Sequence, residues 1–282
     1  MKKRFLAMAL LAVLVLSGGA IWHYCHSDII PIETGIKVMK GVPVLMYHKV
    51  NPDSGAGGFG LRVTPENFDW QMHYLKKNGY RSISLGDMLD SFQHKKALPK
   101  KPVIITFDDG YQDNYRYAYP ILKKYNYTAT IFVVAGLIGK TNEFDVKKHL
   151  QPENKMMDWS EIISLDNAGI TIGSHTLTHP HLTGLSDAEA RQEIMVSKKV
   201  LEAKLGREVQ FFCYPYGEYN ESMVRLVKEA GYRAATTTKQ GLNYQNTDAY
   251  LLKRIRIMGK YNHEKFIEEL HKWDYTGESK EL

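Results

Sequence analysis

Short runs of apolar, β-branched residues alternate along this chain with longer segments in which apolar residues recur every three or four positions. The first pattern predicts buried strands and the second predicts amphipathic helices. The strand-like runs are 43–50, 81–84, 103–105, 128–134, 170–175, 210–214, 232–238 and 252–257. The helix-like segments are 64–79, 86–93, 113–126, 159–168, 186–205, 221–230 and 262–273. This alternation predicts an α/β fold, with a largely parallel sheet and helices outside it.

Several local signals refine these elements. Ser186 and Glu189 have the spacing of a capping box at the start of a helix. Pro120 should bend or divide the helix at 113–126, because it lacks an N–H and clashes with the preceding turn. The segment 136–157 is irregular and is a candidate lid or substrate-contacting loop.

About eight strand–helix units predict a closed or nearly closed barrel of seven to eight strands. In such a barrel the active site gathers at the carboxyl ends of the strands. His48, Asp108, Asp109 and His175 all stand at or just after predicted strand ends. We therefore expect these four side chains to meet in space.

Charge and cysteine content exclude two classes of protein. Of the net charge of +6 over 282 residues, Lys2, Lys3 and Arg4 supply three charges. No stripe of Lys and Arg with interleaved aromatic residues follows, so we expect no nucleic-acid partner. The two cysteines, Cys25 and Cys213, are far too few for a fold stapled by disulfides.

The N-terminus has the pattern of an export signal. A basic flank precedes an uncharged run of 18 residues, Phe5–Trp22. We expect residues 1–27 to form a signal peptide or an N-terminal membrane anchor, and we favour an uncleaved anchor. A linker at 28–41, a catalytic domain at 42–275 and a tail at 276–282 would follow. The domain is then extracytoplasmic, either membrane-anchored or secreted.

Asp108 and Asp109 follow a buried strand directly and precede Gly110. Two adjacent carboxylates repel one another and resist desolvation, so a positive partner is expected, and a metal ion is the first candidate. Successive strand residues face opposite sides, so the two aspartates should have different partners. The alternative is a strand that ends in a solvated turn.

Three histidines occur within the segment 175–181. His175 and His179 are four residues apart, a spacing that places two imidazoles on one face of a helical turn. Together with one carboxylate they would make a three-ligand zinc site with a position left for water or substrate. His181 is expected to be exposed or to lie behind the ligands.

These residues carry a family resemblance. Thr106–Gly110, Ser174–His179 and Tyr214–Gly217 resemble the first three motifs of the polysaccharide deacetylase (NodB-homology, carbohydrate esterase family 4) proteins. The resemblance covers roughly residues 43–258. It implies a distorted (β/α) barrel and the metal-dependent removal of N-acetyl groups from N-acetylglucosamine-type sugars.

Residue by residue, the resemblance implies Asp109, His175 and His179 as metal ligands and Asp108 as general base. The metal it implies is divalent and most often Zn²⁺, with Co²⁺, Ni²⁺ and Fe²⁺ as alternatives. Such an ion would polarise the acetamide and lower the pKa of a bound water to about 7.

The chain departs from the commonest family pattern in two places. Cys213 stands where the third motif often has the Arg that braces the base, and the late Leu-x-His motif is absent. In both respects the chain is similar to the poly-N-acetylglucosamine deacetylase branch. That branch implies His48 as the general acid; the alternative is a strand-end histidine satisfied by backbone. Arg254 or Arg256 is a candidate replacement for the missing brace.

Aromatic residues near the motifs are candidates for sugar contacts. Trp159 and Tyr216 could stack on sugar faces, and Tyr214 and Pro215 belong to the same third motif. Burial in the core is an equally good account of both stacking candidates. A backbone N–H near Tyr216 could also stabilise the oxyanion.

The function predicted from these observations is a metal-dependent hydrolase, expected as a monomer. It would remove N-acetyl groups from a cell-surface or cell-wall polysaccharide such as poly-N-acetylglucosamine, peptidoglycan or a chitin-like polymer. One alternative is a catalytically silent glycan-binding envelope protein of the same fold. Another is an iron oxygenase that uses two histidines and one carboxylate.

Overall fold

The computed structural model describes residues 41–273. The predicted signal peptide or anchor at 1–27, almost all of the linker at 28–41 and the tail at 276–282 lie outside the described residues. Within 41–273, no helix combines the length and the apolarity that a membrane span requires.

The strands form an almost entirely parallel, curled sheet. They are β1 (Val44–Tyr47), β2 (Lys49–Val50), β3 (Arg62–Val63), β4 (Arg81–Ser82), β5 (Pro102–Phe107), β6 (Thr130–Val133), β7 (Thr171–Ser174), β8 (Phe211–Cys213), β9 (Ala234–Thr236) and β10 (Ile255–Arg256). The order is β10-β1-β5-β6-β7-β8-β9, with β4 added beside β5 and with β2 and β3 paired separately. A parallel bridge from Thr236 to Leu252 links β9 to the segment that leads into β10. The predicted α/β fold and distorted (β/α) barrel are confirmed.

Helices connect the strands and cover the outside. They are α1 (Pro65–Lys77), α2 (Leu85–His94), α3 (Tyr119–Tyr125), α4 (Glu143–Val146), α5 (Trp159–Asn167), α6 (Asp187–Leu205), α7 (Glu221–Glu229) and α8 (His263–His271). The capping box of Ser186 and Glu189 is present at the start of α6. The segment 113–126 is divided as predicted: a π-helical turn at Asn114–Ala118 precedes α3, and Pro120 lies in the first turn of α3.

Alternate strand residues face two different cores. In β5, Ile104 points into the barrel, while Val103 and Ile105 pack outward against the helices. The interior cluster contains Val44, Ile104, Phe132, Phe211, Leu85, Met88 and Leu89. Gly86 of α2 lies beside the ring of Phe211, the first residue of β8. Helix α2 therefore closes the end of the barrel where the strands begin, and the polar side chains collect at the other end.

Three predicted elements differ from the structure. The run 43–50 is not one strand, because the chain breaks at His48 and β2 pairs with β3 instead of β5. In the run 252–257 only Ile255–Arg256 is strand. The insertion 136–157 contains α4 and buries Phe144 and Met156 in a small cluster with Tyr111, so it is a packed part of the domain.

Candidate metal centre and active site

One carboxylate and two imidazoles converge at the carboxyl end of the barrel. Asp109 follows β5, and His175 follows β7 directly. Asp109 Oδ1 lies 3.5 Å from His175 Nε2 and 3.5 Å from His179 Nε2. All three side chains are buried, and one ligand atom from each lies within 4.8 Å of the others. The structure thus brings together the three residues that the resemblance implies as metal ligands.

The prediction that His175 and His179 lie on one face of a helical turn was wrong, although the two side chains do lie together. Residues 175–179 do not form a helical turn, because β7 ends at Ser174 and an irregular loop follows. Thr176 and His179 have left-handed φ values of 68° and 64°. The Thr176 hydroxyl accepts the His179 N–H at 3.0 Å. This tight loop, rather than a helix face, turns the second imidazole back toward the first.

Left-handed backbone recurs around the site. Asp109 (φ 72°) and Tyr216 (φ 59°) also adopt this conformation, which is unfavourable for residues with a side chain. Such strain persists where the surrounding structure holds it in place, and it clusters at functional sites. Gly110 follows with φ 82°, and a Cβ there would lie 2.8 Å from Val133 Cγ1. Glycine is therefore required directly after the two aspartates.

The donor set fits a divalent ion. His175 Nδ1 lies 2.7 Å from the carbonyl oxygen of Cys213 and donates to it, so its Nε2 is left as the free lone pair. Two ligand atoms about 2.0–2.1 Å from a tetrahedral zinc ion are roughly 3.3–3.4 Å apart, close to the separations from Asp109. Two neutral imidazoles and one carboxylate also match the preference of zinc and leave a fourth position open.

Burial controls the protonation of this group. It raises the pKa of Asp109 to about 7, with nearby Asp108 and Asp145 acting in the same direction and His175 opposing them. Burial lowers the pKa of His179 well below its usual value, and His175 adds to that shift. A bound cation would favour the ionised carboxylate and the neutral imidazole, which are the forms that bind metal.

Asp108 has a different partner, as expected from its opposite orientation. The Arg254 guanidinium donates to both carboxylate oxygens, Nη1 to Oδ1 at 2.6 Å and Nη2 to Oδ2 at 2.7 Å. Arg254 is fully buried and Asp108 is 3% exposed. Burial alone would raise the pKa of Asp108, but the Arg254 guanidinium outweighs it and holds that pKa well below its ordinary value.

The Arg254 guanidinium also contacts Cys213 and two neighbouring residues. Its Nη2 lies 3.2 Å from Cys213 Sγ, its Nε donates to the carbonyl of Thr237 at 2.8 Å, and its Nη1 lies 3.2 Å from Thr106 Oγ1. Of the two candidates for the brace, Arg254 is the residue in contact with Asp108. Arg256 instead reaches the carbonyl of Gly60.

His48 stands beside Asp108 at the break between β1 and β2. Its Nε2 lies 3.9 Å from Asp108 Oδ2, and its backbone carbonyl accepts a hydrogen bond from Asn114 at 2.7 Å. Burial lowers the pKa of His48 to about 3; Arg256 and Arg254 act in the same direction, and Asp108 opposes them. The resting imidazole is therefore neutral at pH 7.

Tyr216 forms part of the rim of the site. Its ring lies edge-on to His179 at 4.7 Å and stacks on His181 at 3.9 Å. His181 is exposed and pairs with Glu218, apart from the three ligands. Two roles remain predictions: that the Tyr216 ring contacts a sugar, and that a backbone N–H near Tyr216 stabilises the oxyanion.

The other aromatic candidates are packed differently. Tyr214 is fully buried against Phe212 and Tyr219, and Pro215 is buried as well. Trp159, at the start of α5, packs against the core with the Lys204 ammonium 5.9 Å from its ring. These placements favour packing roles over the predicted contacts with substrate.

The insertion supplies neighbours that the sequence motifs did not indicate. The ring of Phe144 lies 4.2 Å from that of His179.

Lys49 is fully buried, with its ammonium 4.5 Å from the ring centroid of Tyr111 and 3.4 Å from Gln151 Oε1. Only its place in the sequence, directly after the strand-end histidine His48, could have marked Lys49 as a residue near the site.

Comparison with known proteins shows which family the chain resembles. Residues 95–235 match the family model described as polysaccharide deacetylase. YxkH of Bacillus subtilis, which carries polysaccharide deacetylase in its name, is 34% identical over 216 residues, which is 77% of this chain and 71% of YxkH. A poly-β-1,6-N-acetyl-D-glucosamine N-deacetylase of Staphylococcus aureus is 27% identical over 244 residues, covering 82% of each chain.

A solved structure shares the fold. The Streptococcus pyogenes deacetylase PplD, determined in complex with acetate, superposes with a TM-score of 0.70 at 29% identity. The match covers 81% of this chain and 97% of PplD.

Proposed function

The chain belongs to the polysaccharide deacetylase family, and we propose that it hydrolyses N-acetyl groups of an N-acetylglucosamine-containing polysaccharide with the help of a divalent metal ion. One observation carries the proposal. A buried triad with metal-ligand geometry, Asp109, His175 and His179, stands beside a separate pair of proton-transfer groups, Asp108 and His48. A protein that only bound glycans would need no such pair.

The triad would hold the ion, and zinc is the metal that the donor set favours. When bound there, the ion would polarise the acetamide carbonyl and make water a better nucleophile. The loop that carries Thr176 and His179 keeps the two imidazoles oriented, and the Cys213 carbonyl keeps His175 in the tautomer whose Nε2 is free.

Asp108 acts as the base. Arg254 keeps its carboxylate ionised and fixed in place, so it can accept a proton from the attacking water. His48 Nε2 lies 3.9 Å from Asp108 Oδ2, beyond direct hydrogen-bond distance, so the proton would pass through one water molecule before His48 delivers it to the amide nitrogen as the carbon–nitrogen bond breaks. Burial keeps His48 neutral at rest, so it would have to take up its proton during the reaction before it could act as the acid.

The glycan that we propose is poly-β-1,6-N-acetylglucosamine. The relative from Staphylococcus aureus, which is named for that polymer, supports the proposal. We also propose that the enzyme works outside the cytoplasm, and the basic, then apolar pattern of residues 2–22 supports this.

Removing the metal tests the proposal. We expect a chelator to abolish acetate release from poly-β-1,6-N-acetylglucosamine and added Zn²⁺ to restore it. His179→Ala should lower the zinc content from about one ion per chain to none, because two ligands hold zinc far less tightly than three. Acetate by enzymatic assay and zinc by atomic absorption are the measurements.

The matched control is His73→Ala, which removes an exposed imidazole from α1 and should leave the zinc content unchanged. Acetate release that survives complete removal of metal would contradict the proposal, as would the absence of acetate with every N-acetylated polymer supplied together with metal.

A further inference from the structure

The two histidines of the metal triad are held in different ways. His175 Nδ1 donates to the Cys213 carbonyl oxygen at 2.7 Å, whereas His179 Nδ1 is buried and, within residues 41–273, has no hydrogen-bond partner. A histidine that binds metal usually donates from its second nitrogen to an acceptor, and that hydrogen bond fixes the orientation of the ring. A histidine ring otherwise has a broad range of rotation about its last side-chain bond. Other contacts must therefore hold the plane of the His179 imidazole.

Aromatic rings lie against His179 instead. The centroid of the Phe144 ring is 4.2 Å from that of the imidazole, with the two planes 32° apart. The Tyr216 ring lies edge-on to the imidazole at 4.7 Å, with the planes 66° apart. At these separations the rings are in contact, so the imidazole cannot turn far without displacing one of them.

Phe144 is itself restrained by the packing of the insertion. It belongs to α4 and is buried in a cluster with Tyr111 and Met156. Asn142, the residue before α4 in this cluster's neighbourhood, is fully buried, and its side chain accepts the Asn154 N–H at 2.6 Å. The ring that faces the imidazole is therefore held by contacts on both sides of the short helix.

Tyr216 is restrained by a separate set of neighbours. His181 stacks on its ring at 3.9 Å with the planes 7° apart, and His181 Nδ1 lies 3.0 Å from Glu218 Oε2. The Tyr216 hydroxyl lies 3.5 Å from the Lys148 ammonium, and Lys148 follows α4 by two residues. The two rings that contact His179 are thereby linked through the insertion.

We propose that Phe144 and Tyr216 are positioning residues for the metal ligand His179, and that their rings do for it what the Cys213 carbonyl does for His175. The inference rests on the proposed function, because it concerns the affinity of the same triad for its ion. It gives the insertion 136–157 a part in metal binding, although the insertion supplies none of the three ligands.

Zinc affinity tests the proposal. We expect Phe144→Leu and Tyr216→Leu each to raise the zinc Kd about tenfold, because loss of a group that orients a ligand costs about 10–100-fold in metal affinity. Tyr216→Phe should stay within about twofold of the wild type, since the ring rather than the hydroxyl makes the contact. Competition with a chromophoric chelator is the measurement.

Phe92→Leu is the matched control. It makes the same change on α2, where the side chain packs against the interior cluster at the closed end of the barrel. The zinc Kd should stay within about twofold of the wild type, because a change far from the ligands does not couple to them.

A spectroscopic readout separates ligand orientation from stability. Co²⁺ bound in place of zinc has visible absorption bands that depend on the geometry of its ligands. The spectrum should change in Phe144→Leu and not in Phe92→Leu, while urea denaturation of the chelator-treated chains shows whether both variants are folded. If Phe144→Leu did not fold, the comparison of Tyr216→Leu with Tyr216→Phe would still decide the matter.

These measurements do not depend on turnover. Weaker zinc binding by the two leucine variants supports the inference even if no acetate forms, a result that would overturn only the proposed function. Unchanged zinc Kd values for Phe144→Leu and Tyr216→Leu, or an equal loss in Phe92→Leu, would overturn the inference while leaving deacetylation standing. A wild-type chain that binds no zinc would overturn both.

Discussion

We expect Arg254→Met to lower the free energy of unfolding by about 3–5 kcal/mol, because it leaves the buried Asp108 carboxylate without its cation. The guanidinium that is lost makes two hydrogen bonds to Asp108 and one to the Thr237 carbonyl. Methionine fills much of the same volume as arginine. The loss of stability therefore reflects the missing charge more than a change in packing. Urea denaturation at pH 7 of wild type and variant is the measurement.

Arg233→Met is the matched control. Arg233 pairs with Asp90 at 2.8 Å, but both side chains are about one-third exposed. A pair of that kind contributes about 0–1 kcal/mol. If the two arginine variants lost the same small amount of stability, the buried pair would not have the role assigned to it.

The pH dependence of the difference in stability between wild type and Arg254→Met gives a second check. The folded-state pKa of Asp108 lies below its ordinary value of 3.8. The stability from the pair is therefore complete above that ordinary value and is lost only as pH falls through the lower, folded value. In Arg254→Met, burial without a cation should raise the pKa of Asp108 instead. The gap between wild type and variant should then widen as pH rises from about 4 to 7.

We expect Asp108→Asn to lower kcat for acetate release by about 10³, within the range for loss of a general base. The amide keeps the size of the side chain but cannot accept a proton from water. The zinc content should stay at that of the wild type, because Asp109 and the two histidines still supply the ligands. Initial rates and metal analysis on the same sample provide the measurements.

A folding defect must be separated from this loss, since Asp108→Asn leaves Arg254 facing a neutral amide. The double variant Asp108→Asn/Arg254→Met removes both charges and should regain stability relative to the single variants, with no recovery of kcat. Asp90→Asn, which breaks the surface pair, should keep wild-type activity. A kcat for Asp108→Asn within tenfold of wild type would rule Asp108 out as the base.

Local sequence patterns were enough to predict most of the strands and helices. The apolar runs predicted the eight strands of the curled sheet, β1 and β4–β10, and the helices between them, because burial imposes period-two and period-3.6 spacing on the residues themselves. Capping at Ser186 and the division of the helix at Pro120 also follow from chemistry within a few residues.

The sequence by itself determined the barrel class and the set of side chains that could hold a metal, because strand ends of a parallel barrel converge wherever their residues lie in the chain. Only the tertiary structure decided that Arg254 rather than Arg256 braces Asp108, 146 residues away. It also showed that a left-handed loop, not a helix, turns His179 toward His175, and that the insertion brings Phe144 onto His179. These outcomes depend on which side chains pack together in the folded chain, and the spacing of residues along the sequence does not specify that.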